Sequence, residues 1–223
     1  MTGIQLVMLL VWGTVVGLDL VSVPQIMISR PIVAATVAGV LLGDPGSGLT
    51  AGIILELFAL EVLPVGAVRY PDYGPASVAA AVVAIGPDPL RNLGLPAAVG
   101  LVVAYLGEFT ILEVRRRNSR SIQRHRDELA TGDPRVIRAF HRAGLARDTV
   151  RALVLTAAGL ALASLARVWP RMTPGGAALL DAVVIGCGLS AAISGTLRAT
   201  GGVVGLRWFA IGLTAGIVAV ILI

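Results

Sequence analysis

The stretch from Arg30 to Asp72, RPIVAATVAGVLLGDPGSGLTAGIILELFALEVLPVGAVRYPD, limits the possible folds more than any other part of the chain. Carboxylates sit there inside runs that are otherwise apolar enough for a membrane. A charge at membrane depth costs roughly 2.5–3.5 kcal/mol on insertion scales, so such a residue turns toward a cavity or a partner. Gly and Pro also interrupt the segment repeatedly. Broken apolar segments carrying buried charge are the sequence pointer to a transport site.

The rest of the chain fits that setting. Hydrophobic residues make up 56% of it, against about 45–50% in soluble domains, and the mean hydropathy is +0.87. Charges are segregated: Met1–Ser29 carries only Asp19, and Ala152–Ala166 and Trp208–Ile223 carry none. Backbone in lipid must satisfy its own hydrogen bonds, so the spans are helices or a closed barrel. The continuous Ala/Val/Leu/Ile/Gly runs lack the alternation of a barrel. The expected fold class is therefore an all-α integral membrane protein, polytopic, with re-entrant hairpins in its N-terminal half.

Every one of the 18 basic residues is arginine, and most fall between Arg115 and Arg151. The net charge of +5 thus reads as a topological signal and not as a nucleic-acid site. Positive-inside retention places this block in the cytoplasm, with Arg198 and Arg207 on the same side and Arg167 and Arg171 outside. Within the block, Asp133 is suited to cap a helix opening at Pro134. Arg135, Arg138 and Arg142 share one face of it, and Val136, Phe140 and Ala143 another. That basic face suits either contact with lipid headgroups or docking of an acidic cytosolic partner.

Along the chain, Ile4 to about Met27 reads as one apolar span. It lacks a basic flank and a small-residue cleavage site, so a retained first helix is expected. Ile32–Gly43, Leu49–Leu63 and Ala76–Ile85 are too short to cross, since a crossing takes about 20 residues. Asp44–Gly48 reads as the turn between the first two. Leu93–Leu112, Ala152–Ala166, Ala177–Leu197 and Val203–Ile223 are further spans. Three regions follow: residues 1–112 with the re-entrant elements and candidate site, 113–151 as a cytoplasmic segment, and 152–223 as C-terminal membrane helices.

Small residues recur at every fourth position: Ala35, Gly39, Gly43; Gly48, Gly52; Gly201, Gly205; Gly212, Gly216. On helices these make seams that let neighbours approach closely. Glu56 continues the Gly48–Gly52 stripe and so belongs inside the protein, with no local capping duty to explain it. Glu61 lies roughly 140° further round an ideal helix and shares that face only if the helix breaks between them.

Ionised carboxylates accept strong hydrogen bonds from adjacent hydroxyls, as a sugar requires. The candidate substrate-binding residues are Glu56 and Asp72, followed by Glu61, Gln25 and Arg69. Phe58, Tyr70 and Tyr73 are candidate walls. Each has a structural alternative: Asp44 as a turn cap, Asp72 as the start of the Pro71–Gly74 turn, and Arg30 as partner of Asp19 or of a helix end. No nucleotide-binding loop, metal-ligand spacing or nucleophile elbow is present. His125 and His141 read as solvated, and Cys187 as packing. No cofactor, metal or catalytic residue is assigned.

The ordered set Arg30-Pro31, Gly39, Gly43-Asp44, Gly48, Gly52, Leu55-Glu56-Leu57, Ala59-Leu60, Gly66 and Pro71-Asp72 resembles the IIC subunit of the mannose/sorbose family of the bacterial phosphotransferase system. The likeness is dense over Asp19–Gly86 and returns at Leu197-Arg198-Ala199. It implies a multi-pass subunit of the bacterial plasma membrane that translocates a sugar. It also implies a IID membrane partner, oligomers of IIC/IID pairs, and cytosolic IIA and IIB proteins that phosphorylate the sugar, with none of those steps on this chain. Glu61 and Arg69 add charges where many relatives are neutral, and the chain is expected to end one hydrophobic segment early. A regulatory or scaffolding relative without transport, or an unrelated small-solute carrier, are the alternative readings.

Overall fold

A computed structural model describes residues 1–62, 69–86, 93–168, 172–200, 206–212 and 214. Among these the chain is helical: α1 (Gly3–Asp19), α2 (Pro31–Leu42), α3 (Pro45–Ala59), α4 (Tyr73–Ala84), α5 (Gly94–Arg124), α6 (Arg126–Ala130), α7 (Pro134–Val168) and α8 (Pro174–Thr200). The all-α membrane class holds. Among the described residues three helices, α5, α7 and α8, are long and apolar enough to cross a bilayer. Gly66, Arg171, Gly201, Gly205, Gly216 and most of the Val203–Ile223 span lie outside the described residues.

The centre of the molecule is α4. All of its residues are buried, because Ala, Val, Gly and Ser expose no side that needs water and leave room on every face. Helices α1, α2, α3, α5 and α7 pack around it. Close approach is visible at Gly74, where an added Cβ would lie 2.8 Å from the Val16 carbonyl oxygen. Gly17 meets Ala152 and Pro75 in the same way. On the other side of α1, the Trp12 indole N–H donates to the Ala34 carbonyl of α2 at 2.9 Å.

The short elements form as the apolar runs suggest, with boundaries set by capping. Helices α2 and α3 make a tight hairpin. Gly43 turns the chain at φ 88°, a left-handed value glycine adopts without strain. Asp44 then accepts from the Ser47 N–H at 3.0 Å and the Ser47 hydroxyl at 2.6 Å. The expected turn is thus only Gly43-Asp44, and Pro45 to Gly48 is already the first turn of α3. The small-residue stripes face each other across this hairpin: a Cβ on Gly48 would sit 2.5 Å from the Ala35 carbonyl oxygen and 2.8 Å from the Gly39 Cα.

The first span is shorter than its apolar run. Helix α1 ends at Asp19 and not near Met27. The buried Asp19 carboxylate accepts the backbone N–H groups of Ile26 at 2.7 Å and Ser29 at 2.9 Å. The chain therefore wraps around Asp19 as a loop, with a cis Val23–Pro24 peptide and left-handed Gln25 and Met27.

The arginine block is helix, break, helix. Helix α5 continues to Arg124, and Gly132 at φ 70° marks the break. Asp133 Oδ1 accepts the Arg135 N–H at 2.8 Å at the start of α7. Arg135, Arg138 and Arg142 are exposed, and Val136, Phe140 and Ala143 are half-buried. The divisions at 112/113 and 151/152 fall inside the continuous helices α5 and α7. His125 is not fully solvated: its ring meets Phe140 edge-on, with centroids 5.2 Å apart. Cys187 is exposed on α8, not packed.

Candidate functional site

Helix α3 ends at Ala59, so the chain does break between Glu56 and Glu61. Just beyond that end lies a cavity of about 170 Å³. Glu61, Arg69, Tyr70 and Tyr73 line it together with Tyr105 and Glu108 of α5, and Phe58 closes one side. The Tyr70 and Tyr73 rings pack edge to face, with centroids 5.6 Å apart. Glu61 also meets the guanidinium of Arg198 on α8 at 3.2 Å. The volume is below the roughly 300–1,000 Å³ of a drug-sized pocket. It suits a small polar molecule held by carboxylates and a guanidinium between aromatic faces.

All three expected walls, Phe58, Tyr70 and Tyr73, and two of the five candidate binding residues, Glu61 and Arg69, meet in this cavity. Tyr105 and Glu108 belong to it as well and were missed by the sequence reading. The signal was available for Glu108, a carboxylate inside the apolar run that ends at Leu112, by the same logic that singled out Glu56.

Glu56 stands in the last turns of α3 and pairs with Arg30, each about one-fifth exposed. It also accepts the Ile32 backbone N–H at 3.2 Å. A carboxylate there complements the positive end of α2. Glu56 has no local capping duty, as read, but it has a long-range one at the start of α2, and the pairing of Arg30 with Asp19 is corrected. The partners lie 26 positions apart, beyond the reach of local capping patterns. The pair clasps the open end of the α2–α3 hairpin.

Asp72, fully buried, is the residue before α4. Its backbone N–H donates to the Ala104 carbonyl at 2.9 Å. Its Oδ2 accepts from Arg151 Nη1 at 2.5 Å, while Oδ1 accepts no hydrogen bond from the described residues. Arg151 also donates to Asp148 Oδ1 at 2.6 Å and to the Gly17 carbonyl at 2.7 Å. The Ser22 hydroxyl donates to the other oxygen of Asp148. One guanidinium thereby joins α1, the loop after it, the start of α4 and α7. Sequence reasoning left Asp148 and Arg151 in the arginine-rich segment with no role assigned, yet both are buried.

Gln25 stands apart, on the exposed loop after α1, with its amide donating to the Val21 carbonyl at 3.2 Å. The structure does not bring it to the cavity.

Known proteins resemble this chain in both sequence and fold. The sorbose-specific EIIC component of Lacticaseibacillus casei is 33% identical over 105 residues, covering 47% of this chain and 37% of that protein. The fructose permease IIC component of Bacillus subtilis is 29% identical over 156 residues, 70% of this chain and 57% of its own length. The mannose-specific EIIC component of Escherichia coli K12 is 27% identical over 114 residues, 51% and 42% respectively. The aligned region thus spans about a third to three-fifths of these relatives. Among solved structures, one described only as a membrane protein matches with a TM-score of 0.71 at 20% identity, over 97% of this chain and 87% of the other. A chain in the cryo-EM structure of the mannose transporter ManYZ with microcin E492 matches at 0.62 and 21%, with the same coverage. These two establish the fold. The family model for the sorbose-specific IIC component of the phosphotransferase system matches residues 3–169, well over half of the chain, and the protein belongs to that family.

Proposed function

We propose that this protein is the sugar-translocating IIC subunit of a phosphoenolpyruvate-dependent phosphotransferase complex in a bacterial plasma membrane. The observation that carries the reading is the tyrosine-walled cavity holding Glu61, Glu108 and Arg69 beside a hairpin of short helices. Ring hydroxyls of a sugar donate to the two carboxylates. Arg69 donates to a sugar oxygen, and the tyrosines offer flat apolar faces. Glu56 and Asp72 act from behind, holding the hairpin and the start of α4 in place.

Helices α2 and α3 are 12 and 15 residues long, about 18 and 22 Å at 1.5 Å per residue. A hydrocarbon core is about 30 Å thick, so the hairpin enters the bilayer without crossing it. In the cavity at the open end of this hairpin a sugar sheds water between the tyrosines, and its hydrogen bonds to carboxylates gain strength. No covalent step falls to this chain. A IIB partner, charged by IIA, phosphorylates the sugar as it leaves, and a IID subunit completes the membrane part in an oligomer of pairs.

Reconstitution with IIA, IIB and IID partners and a panel of sugars tests the reading. Glu61→Gln and Glu108→Gln each keep shape and remove charge. A charge-assisted hydrogen bond contributes about 1.5–3 kcal/mol, so apparent affinity should fall about tenfold or more. Gln25→Ala, away from the cavity, should change it less than about twofold. Unaltered uptake in both glutamate variants, or a defect confined to complex assembly, overturns the assignment.

A further inference from the structure

A second recess lies elsewhere. A cleft of about 480 Å³ opens between the arginine-bearing halves of α5 and α7, closed on one side by the loop after α1. Its apolar wall includes Ile111, Val114, Phe140 and Leu145, and its cationic wall includes Arg115 and Arg147. The apolar run of α5 ends at Leu112 and that of α7 begins at Ala152. The cleft therefore lies where apolar helix gives way to arginine, which is the level of lipid headgroups.

We propose that this cleft is a binding site for an anionic phospholipid. The phosphate sits between Arg115 and Arg147, and the upper part of the acyl chains lies on Ile111, Val114 and Leu145. Three features support it. First, Arg147 is held in position by a 2.9 Å hydrogen bond from Nη1 to Asn118 Oδ1. That bond uses one of five donors in a planar fork suited to phosphate. Second, the carboxylate at the edge of the cleft, Asp148, is engaged by Arg151 and Ser22, so it opposes an anion less than a bare carboxylate. Third, the size matches a headgroup with the start of its chains. A peptide helix about 10–12 Å across fills roughly 500 Å³ in a single turn, so the cleft is too small for a docking helix. The exposed Arg135, Arg138 and Arg142 do not line this cleft and attract headgroups only diffusely.

The test uses the full chain in neutral detergent, titrated with phosphatidylglycerol or phosphatidylcholine, with bound lipid counted by native mass spectrometry. One phosphatidylglycerol per chain should be retained at concentrations where phosphatidylcholine is not. Arg115→Gln with Arg147→Gln should weaken retention tenfold or more, and Arg135→Gln with Arg138→Gln and Arg142→Gln less than twofold. Inorganic phosphate at equal concentration should fail to displace the lipid. Gly144→Leu supplies a variant with unchanged charge. Gly144 lines the cleft, and a Cβ there would meet nothing nearer than Asn118 Nδ2 at 3.6 Å, so the backbone tolerates a side chain that then occupies the lipid's place. It should lose phosphatidylglycerol while keeping its unfolding temperature in phosphatidylcholine. Equal retention of both lipids, equal loss in the outer-face variant, displacement by phosphate alone, or full retention in Gly144→Leu each overturn the site.

Discussion

At the scale of single residues, Arg151 connects more of the molecule than any candidate binding group. It donates to Asp72 Oδ2, Asp148 Oδ1 and the Gly17 carbonyl at once. A guanidinium reaches three acceptors in a plane, whereas an ammonium is a point charge on a flexible stem. Arg151→Lys should therefore be nearly as damaging as Arg151→Met. Leaving buried carboxylates without their partner costs about 3–5 kcal/mol. Removing the stranded charges as well, by adding Asp72→Asn and Asp148→Asn to Arg151→Met, should recover a large part of that loss. Thermal unfolding in detergent reads both effects. An Arg151→Met protein that melts with the wild type removes the network from the account of stability. This network was not legible beforehand, because Asp148 and Arg151 sit three apart in a segment dense with exposed arginine. Only the fold brings Asp72, 79 positions away, to meet them. Glu56 was half legible: the glycine stripe placed it inside, but its partner Arg30 could not be read from local spacing.

At the scale of elements, the α2–α3 hairpin was the most legible part, and its glycines show why. A side chain at Gly48 collides with backbone atoms of Ala35 and Gly39, which cannot rotate away. Gly46, two positions earlier, has only the Asp44 carboxylate at 3.6 Å. Gly48→Ala should thus force the two helices apart and lose about 1–3 kcal/mol, the range for overpacking a tight core. Gly46→Ala should be neutral, or stabilising by about 0.4–1 kcal/mol through a stiffer unfolded chain. Unfolding of the two variants side by side separates a packing seam from a general need for glycine. If both are neutral, the seam is looser than described. Helix α1 was less legible, since nothing in an apolar run ending with Asp19 and Pro24 reveals that backbone N–H groups of Ile26 and Ser29 will fold back onto that aspartate.

At the scale of the whole molecule, α5 and α7, 31 and 35 residues long, continue well beyond their apolar runs as a pair of arginine-bearing arms. Composition marked the arginine block but not this pairing, because the cleft depends on how two helices lie side by side. Membrane-spanning stretches of α5 and α7 are 44% buried, against 17% for α8. Helix α8 thus leaves an open flank for the proposed IID subunit or a second copy. The arms give the topology a sharp test. Positive-inside retention counts Arg within about 15–20 residues of a span, and the block between Arg115 and Arg151 is bounded on both sides by spans. Moving it outward would carry those arginines across the bilayer, so the arms are expected in the cytoplasm. Cys187 is exposed on α8 and must first be replaced by Ser to remove a competing thiol. Thr131, at the exposed break between α6 and α7, then takes a single Cys. In intact cells that Cys should resist an impermeant maleimide added outside and react fully once the membrane is opened. Ready labelling from outside inverts the molecule. It would also move the proposed lipid cleft to the outer leaflet.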